Sequence, residues 1–127
     1  MGSGNKGTTR SFDRPDDHIS KNGVEIDVVQ IGDLTAKRGS YPPGWRFSEH
    51  MGAPVCYDTH VGYGISGHIH VELRDGGVVE IEPGAVFMIP AGHDAWVVGN
   101  EPCVMVQFDE GESAARRFNL PALERAA

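Results

Sequence analysis

The 127-residue chain predicts an all-β fold, a sandwich or barrel of short strands. Three observations predict it. Short apolar or alternating runs recur at regular spacing, clusters of Gly, Pro, Asp and Asn separate them, and the 17 glycines suit many turns better than long helices. At this length one core is expected, hence one domain.

The elements follow in order. Residues 1–22 are polar and aperiodic, which predicts a flexible N-terminal arm over the surface. From Val24 the strand-like runs are Val24–Val29, Trp45–Phe47, Cys56–Ile65, Ile69–Leu73, Val78–Ile81, Ala85–Ile89, Trp96–Val98 and Cys103–Phe108. Turn signals stand between them at Tyr41–Gly44, Ser66–Gly67, Asp75–Gly77, Glu82–Gly84, Pro90–Gly92 and Gly99–Pro102. Asp75-Gly76-Gly77 reads as a hairpin, because Asp and Gly tolerate the positive φ that a tight turn demands. The barrel domain is placed at 23–110, and the tail, 111–127, reads as partly helical, a lid over one barrel end or part of a dimer contact.

A formal net charge of −7 opposes binding to nucleic acid or an anionic membrane, since both rely on Lys and Arg displacing counterions. No run is long or apolar enough to span a bilayer, and the N-terminus has no hydrophobic signal core, so a soluble, cytoplasmic protein is expected. Two cysteines, Cys56 and Cys103, make no disulfide framework and read as buried thiols.

Chemistry is sought among the six histidines, at 18, 50, 60, 68, 70 and 93. His18 lies in the polar arm and is set aside. Alternate residues of a barrel strand face inward, so side chains distant in sequence meet inside when they share that parity.

Residues Pro43 to Phe108 carry two spaced motifs: Gly44, five residues, His50, then His60, six residues, Gly67; and Gly84, five residues, Pro90-Ala-Gly92, with His93-Asp94-Ala95-Trp96 behind it. With these the block resembles the cupins, double-stranded β-helix barrels. The resemblance implies a divalent metal held by two histidines flanking one residue, a glutamate and a third histidine. This chain departs from that pattern. His50 matches the first ligand, but Gly52 stands where the second histidine belongs, His60 falls at the glutamate, and Ala95 occupies the third histidine position. His93 lies two residues before it, displaced by about 7 Å along an extended strand.

A rearranged site of His50, His60 and His93 is therefore expected, binding Fe, Zn, Ni or Cu with positions left open for substrate. Without a carboxylate ligand such a metal would keep its full charge and favour an anionic oxygen. Phe47, Tyr63, Trp96 and Cys56 are the expected pocket residues, the aromatics forming a wall for a flat ligand and Cys56 sharing the parity of His60. His68-Ile69-His70-Val71-Glu72 also places two histidines and a glutamate on one face, but the resemblance turns Val71 inward and both histidines out.

Two functions fit these residues. The first is an enzyme using a metal on a small oxygen-bearing organic substrate, of dioxygenase, isomerase or cyclase type; the second is a non-catalytic module that binds or senses a small ligand. Family habit implies a homodimer.

Overall fold

Every strand pairing in the computed structural model, which describes residues 7–110 and Arg116, is antiparallel. The strands are β1 (Asp17–Lys21), β2 (Val24–Ile31), β3 (Leu34–Tyr41), β4 (His60–Ser66), β5 (Ile69–Glu72), β6 (Val78–Ile81), β7 (Val86–Ile89), β8 (Asp94–Val97) and β9 (Cys103–Glu110). A single helical turn, α1 (Phe47–His50), precedes β4. One sheet has the order β1-β2-β3-β9-β4-β7, the other β6-β5-β8. Their facing sides bury Ile69 and Val71 of β5, Phe87 and Ile89 of β7, Ala95 and Val97 of β8, and Cys103 and Met105 of β9. Successive strand residues alternate between faces, so each of these four strands contributes its odd-numbered side chains here.

The hairpin at Asp75–Gly77 forms as expected. Leu73 N–H donates to the Gly77 carbonyl at 2.8 Å, Gly77 N–H donates to Asp75 Oδ1 at 2.8 Å, and Gly76 takes φ +91°, a conformation that costs glycine nothing. Two strands are absent from the sequence reading. Five residues of the segment read as a flexible arm form β1, paired from Asp17↔Val28 to Lys21↔Val24. Every β1 side chain is exposed, so no hydrophobic period marks it. β3 buries Ala36, Gly39 and Tyr41, and its two small residues carry no apolar signal. Trp45–Phe47, read as extended, instead leads into α1. The tail at 111–127 lies outside the described residues apart from Arg116.

β4 is built for close approach. His60, Gly62 and Gly64 face inward while Tyr63 and Ile65 face out. A Cβ on Gly62 would lie 2.1 Å from the Val106 carbonyl oxygen and 2.8 Å from the Phe87 ring; one on Gly64 would lie 2.4 Å from the Glu82 carbonyl oxygen. The absence of these side chains lets β4 lie against β9 at Gly62 and against the Glu82 turn at Gly64. Both cysteines are buried and free. Burial, then the charge of Glu101, pushes the Cys103 thiol up to about 11, which keeps it a neutral core residue. Among the described residues no helix is long and apolar enough to cross a membrane.

Polar rungs hold β1 to its neighbours. His18 Nδ1 and Nε2 lie 2.7 Å from Asp27 Oδ1 and Glu25 Oε1, and Arg38 pairs with Asp27 at 3.0 Å. Hydrogen bonds to Asp27 and then to Glu25 raise the His18 pKa above its usual value.

Gly62→Ala is expected to destabilise the fold by about 1–3 kcal/mol, since a backbone carbonyl rather than a flexible side chain must yield; thermal unfolding measures it. For His18 the folded pKa exceeds the unfolded one, so its contribution is complete below the unfolded value of about 6.5 and is lost as pH rises through the folded value. The Tm gap between wild type and His18→Gln should accordingly be wider at pH 5.5 than at pH 9, and equal gaps would show that the rung does not form.

Candidate metal centre

Two backbone hydrogen bonds place the first pair of donors. Cys56 N–H donates to the His93 carbonyl and Gly92 N–H donates to the Cys56 carbonyl, each at 2.7 Å, so Cys56 and His93 oppose each other in an isolated antiparallel bridge. Their side chains therefore leave the backbone on the same side. His60 arrives at the head of β4, with its ring centroid 5.1 Å from that of His93 and Nε2 3.3 Å from Cys56 Sγ. One ligand atom from each of Cys56, His60 and His93 lies within 4.8 Å of the other two.

The far ring nitrogens are also held. His60 Nδ1–H donates to Gln107 Oε1 at 2.5 Å, and His93 Nδ1–H donates to the Pro90 carbonyl at 2.8 Å. Each bond selects the tautomer whose Nε2 carries the lone pair, the arrangement that orients histidine ligands in metal sites. Gln107 is 5% exposed and pairs with Gly62, with a register shift between His60 and Gly62. Burial alone would raise the Cys56 thiol, but hydrogen bonds from His60 and His93, then their charges, outweigh it and bring the pKa to about 6.

These donors fit a metal. Thiolate and neutral imidazole suit zinc and copper, and three protein ligands leave a coordination position open. Donor atoms around tetrahedral zinc lie about 3.3–3.6 Å apart, from bond lengths of about 2.0–2.3 Å. The Sγ to His60 Nε2 separation already matches, and the remaining adjustment is of the order of 1 Å. With Cys56 as thiolate such a set would carry one negative charge, where three neutral imidazoles were expected.

The donors lie in the wall of a cavity of about 160 Å³ between the sheets. Trp45, Phe47, Met51, Ile69, Val71 and Phe87 make up much of the rest of its lining, so the polar groups meet an otherwise apolar chamber.

Among solved structures the chain is similar to a Cupin 2 conserved barrel domain protein from Salinispora arenicola CNS-205, at 16% identity over 91% of this chain and 98% of that one, with a TM-score of 0.58. It is similar to the cupin domain of Cnp3 from Schizosaccharomyces pombe, at 14% identity over 78% of this chain and 69% of that one, TM-score 0.55. It is also similar to KdgF from Halomonas sp., at 18% identity over 75% of this chain and 84% of that one, TM-score 0.53. The chain has the cupin fold. No protein-family model and no curated protein matches the sequence.

Within this cupin barrel the expected site residues separate into two groups. His60 and His93 converge, and Phe47 and Cys56 line the cavity. His50, Tyr63 and Trp96 do not line it. His50 sits on α1, where Nδ1 lies 3.0 Å from both the backbone nitrogen and the carbonyl oxygen of Arg46. Asp94 fixes that turn by accepting from Ser48 N–H at 3.0 Å, Ser48 Oγ at 2.8 Å and Arg46 Nε at 3.0 Å. Helical spacing then sends Phe47 and Met51 inward together and directs His50 elsewhere, so the strand parity assumed for His50 does not apply.

Tyr63 is 45% exposed on the outer face of β4. Trp96 lies on the outer face of β8, with the Arg46 guanidinium 4.3 Å over its ring and His70 4.6 Å away. His68 and His70 also face outward, both bound to Glu80, at 2.7 and 2.8 Å, while Val71 faces the cavity, as the strand alternation implies. Sequence reasoning missed Gln107. Its signal is a polar residue at an inward position of Cys103-Val-Met-Val-Gln107, where alternation calls for an apolar one.

Proposed function

We propose that this cupin holds a divalent metal at Cys56 Sγ, His60 Nε2 and His93 Nε2, and acts on a small oxygen-bearing organic substrate bound in the adjoining cavity. The observation that carries this reading is the convergence of three donors whose two imidazoles are each oriented from behind. When bound, the metal would act as a Lewis acid on a substrate oxygen. The chain's own residues do the remainder. Gln107 and the Pro90 carbonyl keep both Nδ1 atoms protonated, Cys56 lowers the charge of the centre, and the apolar walls exclude water and strengthen electrostatic interactions within. The thiolate favours zinc or copper within the wider set of Fe, Zn, Ni or Cu.

A second reading is favoured by the series Cys56 Sγ, His60 Nε2 and Nδ1, Gln107 Oε1, which supplies a nucleophile, a base and a group that orients the base. Without metal, Cys56 Sγ would give its proton to His60 Nε2 and add to an electrophilic carbonyl carbon, the C=O π pair moving onto oxygen, which takes the proton back on forming the neutral adduct.

The homodimer expected from family habit is supported by the outer face of the larger sheet. Tyr63 and Val86 are directly paired there, 45% and 82% exposed, beside the exposed Met88 and Ile65, and clustered exposed apolar side chains mark interaction surfaces. Light scattering should give twice the chain mass for wild type and the single-chain mass for Val86→Asp.

The metal reading is tested by elemental analysis after loading the reduced protein with Zn(II), and by absorption after loading with Co(II), whose thiolate charge-transfer band reports Cys56. About one ion per chain is expected in wild type, His50→Ala and His68→Ala, with loss of stoichiometric binding in Cys56→Ala, His60→Ala and His93→Ala. Gln107→Leu should weaken affinity by about 10–100-fold. Protein that stays metal-free, with Cys56 alkylated faster by iodoacetamide than Cys103, would replace the metal reading with the thiol one.

A further inference from the structure

Residues 47–55 lie against the cavity without joining either sheet. They run between two isolated bridges, Arg46↔Trp96 on one side and Cys56↔His93 on the other. Among the described residues, their backbone-to-backbone hydrogen bonds stay within the stretch or return to Arg46. What ties its middle to the rest of the molecule is side-chain bonding: Asp94 accepts from Ser48 N–H and from the Ser48 hydroxyl, and Asn22 Nδ2 donates to the His50 carbonyl. Directly after Met51, Gly52 takes φ +80° and a Cβ there would meet nothing within 4 Å, so the backbone has a turning point with nothing packed on it.

The same stretch supplies part of the cavity's outer wall. Of the residues that line the cavity, Ile26, Phe47, Met51 and His60 are partly exposed and the others are buried. A route from solvent into the cavity therefore passes among these four. Ile26 is paired on both sides, with Ile19 and with Gly39, and His60 is paired with Ile89 and with Glu110, so displacing either breaks a strand ladder. Phe47 and Met51 can withdraw with every strand pairing intact, at the loss of the bonds to Asp94 and Asn22 and of their own apolar contacts. Stretches with few ties to the sheets are those that open locally while the rest stays folded.

We propose that residues 47–55 form a strap that gates the cavity, latched by Asp94 and Asn22 and turning at Gly52, so that Phe47 and Met51 determine the size of ligand admitted and the rate at which it enters and leaves. Both ends stay fixed when the strap opens, because the bridges at Arg46 and Cys56 flank the moving stretch. Ligand can then exchange while Cys56 keeps its place beside His93. This rests on the cavity being the ligand site, as in the proposed function, and not on the metal.

The test uses the full-length protein labelled with ¹³C at its methionine methyls, as purified and after chelator treatment, titrated with benzene, which a cavity of about 150 Å³ accommodates. Of the four methionines, Met51 and Met105 line the cavity and Met88 is exposed; Met51→Leu, Met88→Leu and Met105→Leu assign the signals. Benzene should shift Met51 and Met105 and leave Met88 in place, and methyl relaxation dispersion then gives the exchange rates. Ser48→Ala and Asn22→Gly each remove one latch donor, the glycine suiting the φ of +52° at that position. Each should raise the association and dissociation rates together by about three- to tenfold and change Kd less than about twofold, whereas a packing defect would change Kd. 1,3,5-Trimethylbenzene should bind Phe47→Ala and not wild type. Benzene binding with rates unchanged in both latch variants, or trimethylbenzene binding equally to wild type and Phe47→Ala, would overturn the gate and leave the cavity as the ligand site. No shift of Met51 or Met105 with benzene would overturn both. Because the chelator-treated arm contains no metal, failure of the metal reading leaves this result intact.

Discussion

The pairing of Cys56 with His93 is the constraint from which the site follows. Cys56 belongs to no strand, yet two 2.7 Å backbone hydrogen bonds lock it beside the residue that leads into β8. That fixes a thiol and an imidazole on one side of the backbone before any side-chain interaction is considered. The third donor comes from the other sheet, and its delivery depends on glycines. With side chains at 62 and 64, β4 would be pushed off β9 and off the loop at Glu82, and His60 would retreat with it. A backbone bridge, two missing side chains and one amide thus bring the three donors together.

The barrel was legible in the sequence because its strands are amphipathic and its turns use residues with distinct backbone preferences. Alternation puts Val71 on the face opposite His68 and His70 and the cupin resemblance turns that face inward, while Gly76 in its hairpin follows from turn chemistry. β1 and β3 were not legible for the opposite reason. β1 buries no side chain and is held by ionic rungs to β2, and β3 buries a small Ala and a Gly, so neither carries a hydrophobic period.

At the site, alternation served where the backbone is extended and failed where it is not. His60 is the first residue of a strand, and its inward parity holds. His50 was assigned by the same reasoning, but Asp94 captures Ser48 and Arg46 and closes the segment into a helical turn with a different period. Burial opposes the Asp94 charge, yet the donors on Ser48, Ala95 and Arg46 outweigh it and hold its pKa below the usual value, so it stays an acceptor at neutral pH. The sequence showed Asp94 beside a candidate ligand; it could not show a carboxylate reaching 46 residues back to shape α1. Cys56, read as a pocket residue, takes the place expected for His50.

Exchanging an imidazole for a thiolate alters what the cavity can favour. Three neutral ligands would leave a bound dication with its full charge, drawing anionic oxygen, whereas a metal held with one thiolate would have a net charge near +1, which would lower the preference for anions over polarisable neutral oxygens. The apolar walls act in the same direction, because a carboxylate entering them loses its hydration and meets no side-chain cation. The donors and the cavity beside them thus come from separate parts of the fold: the Cys56–His93 bridge and the inner faces of the two sheets.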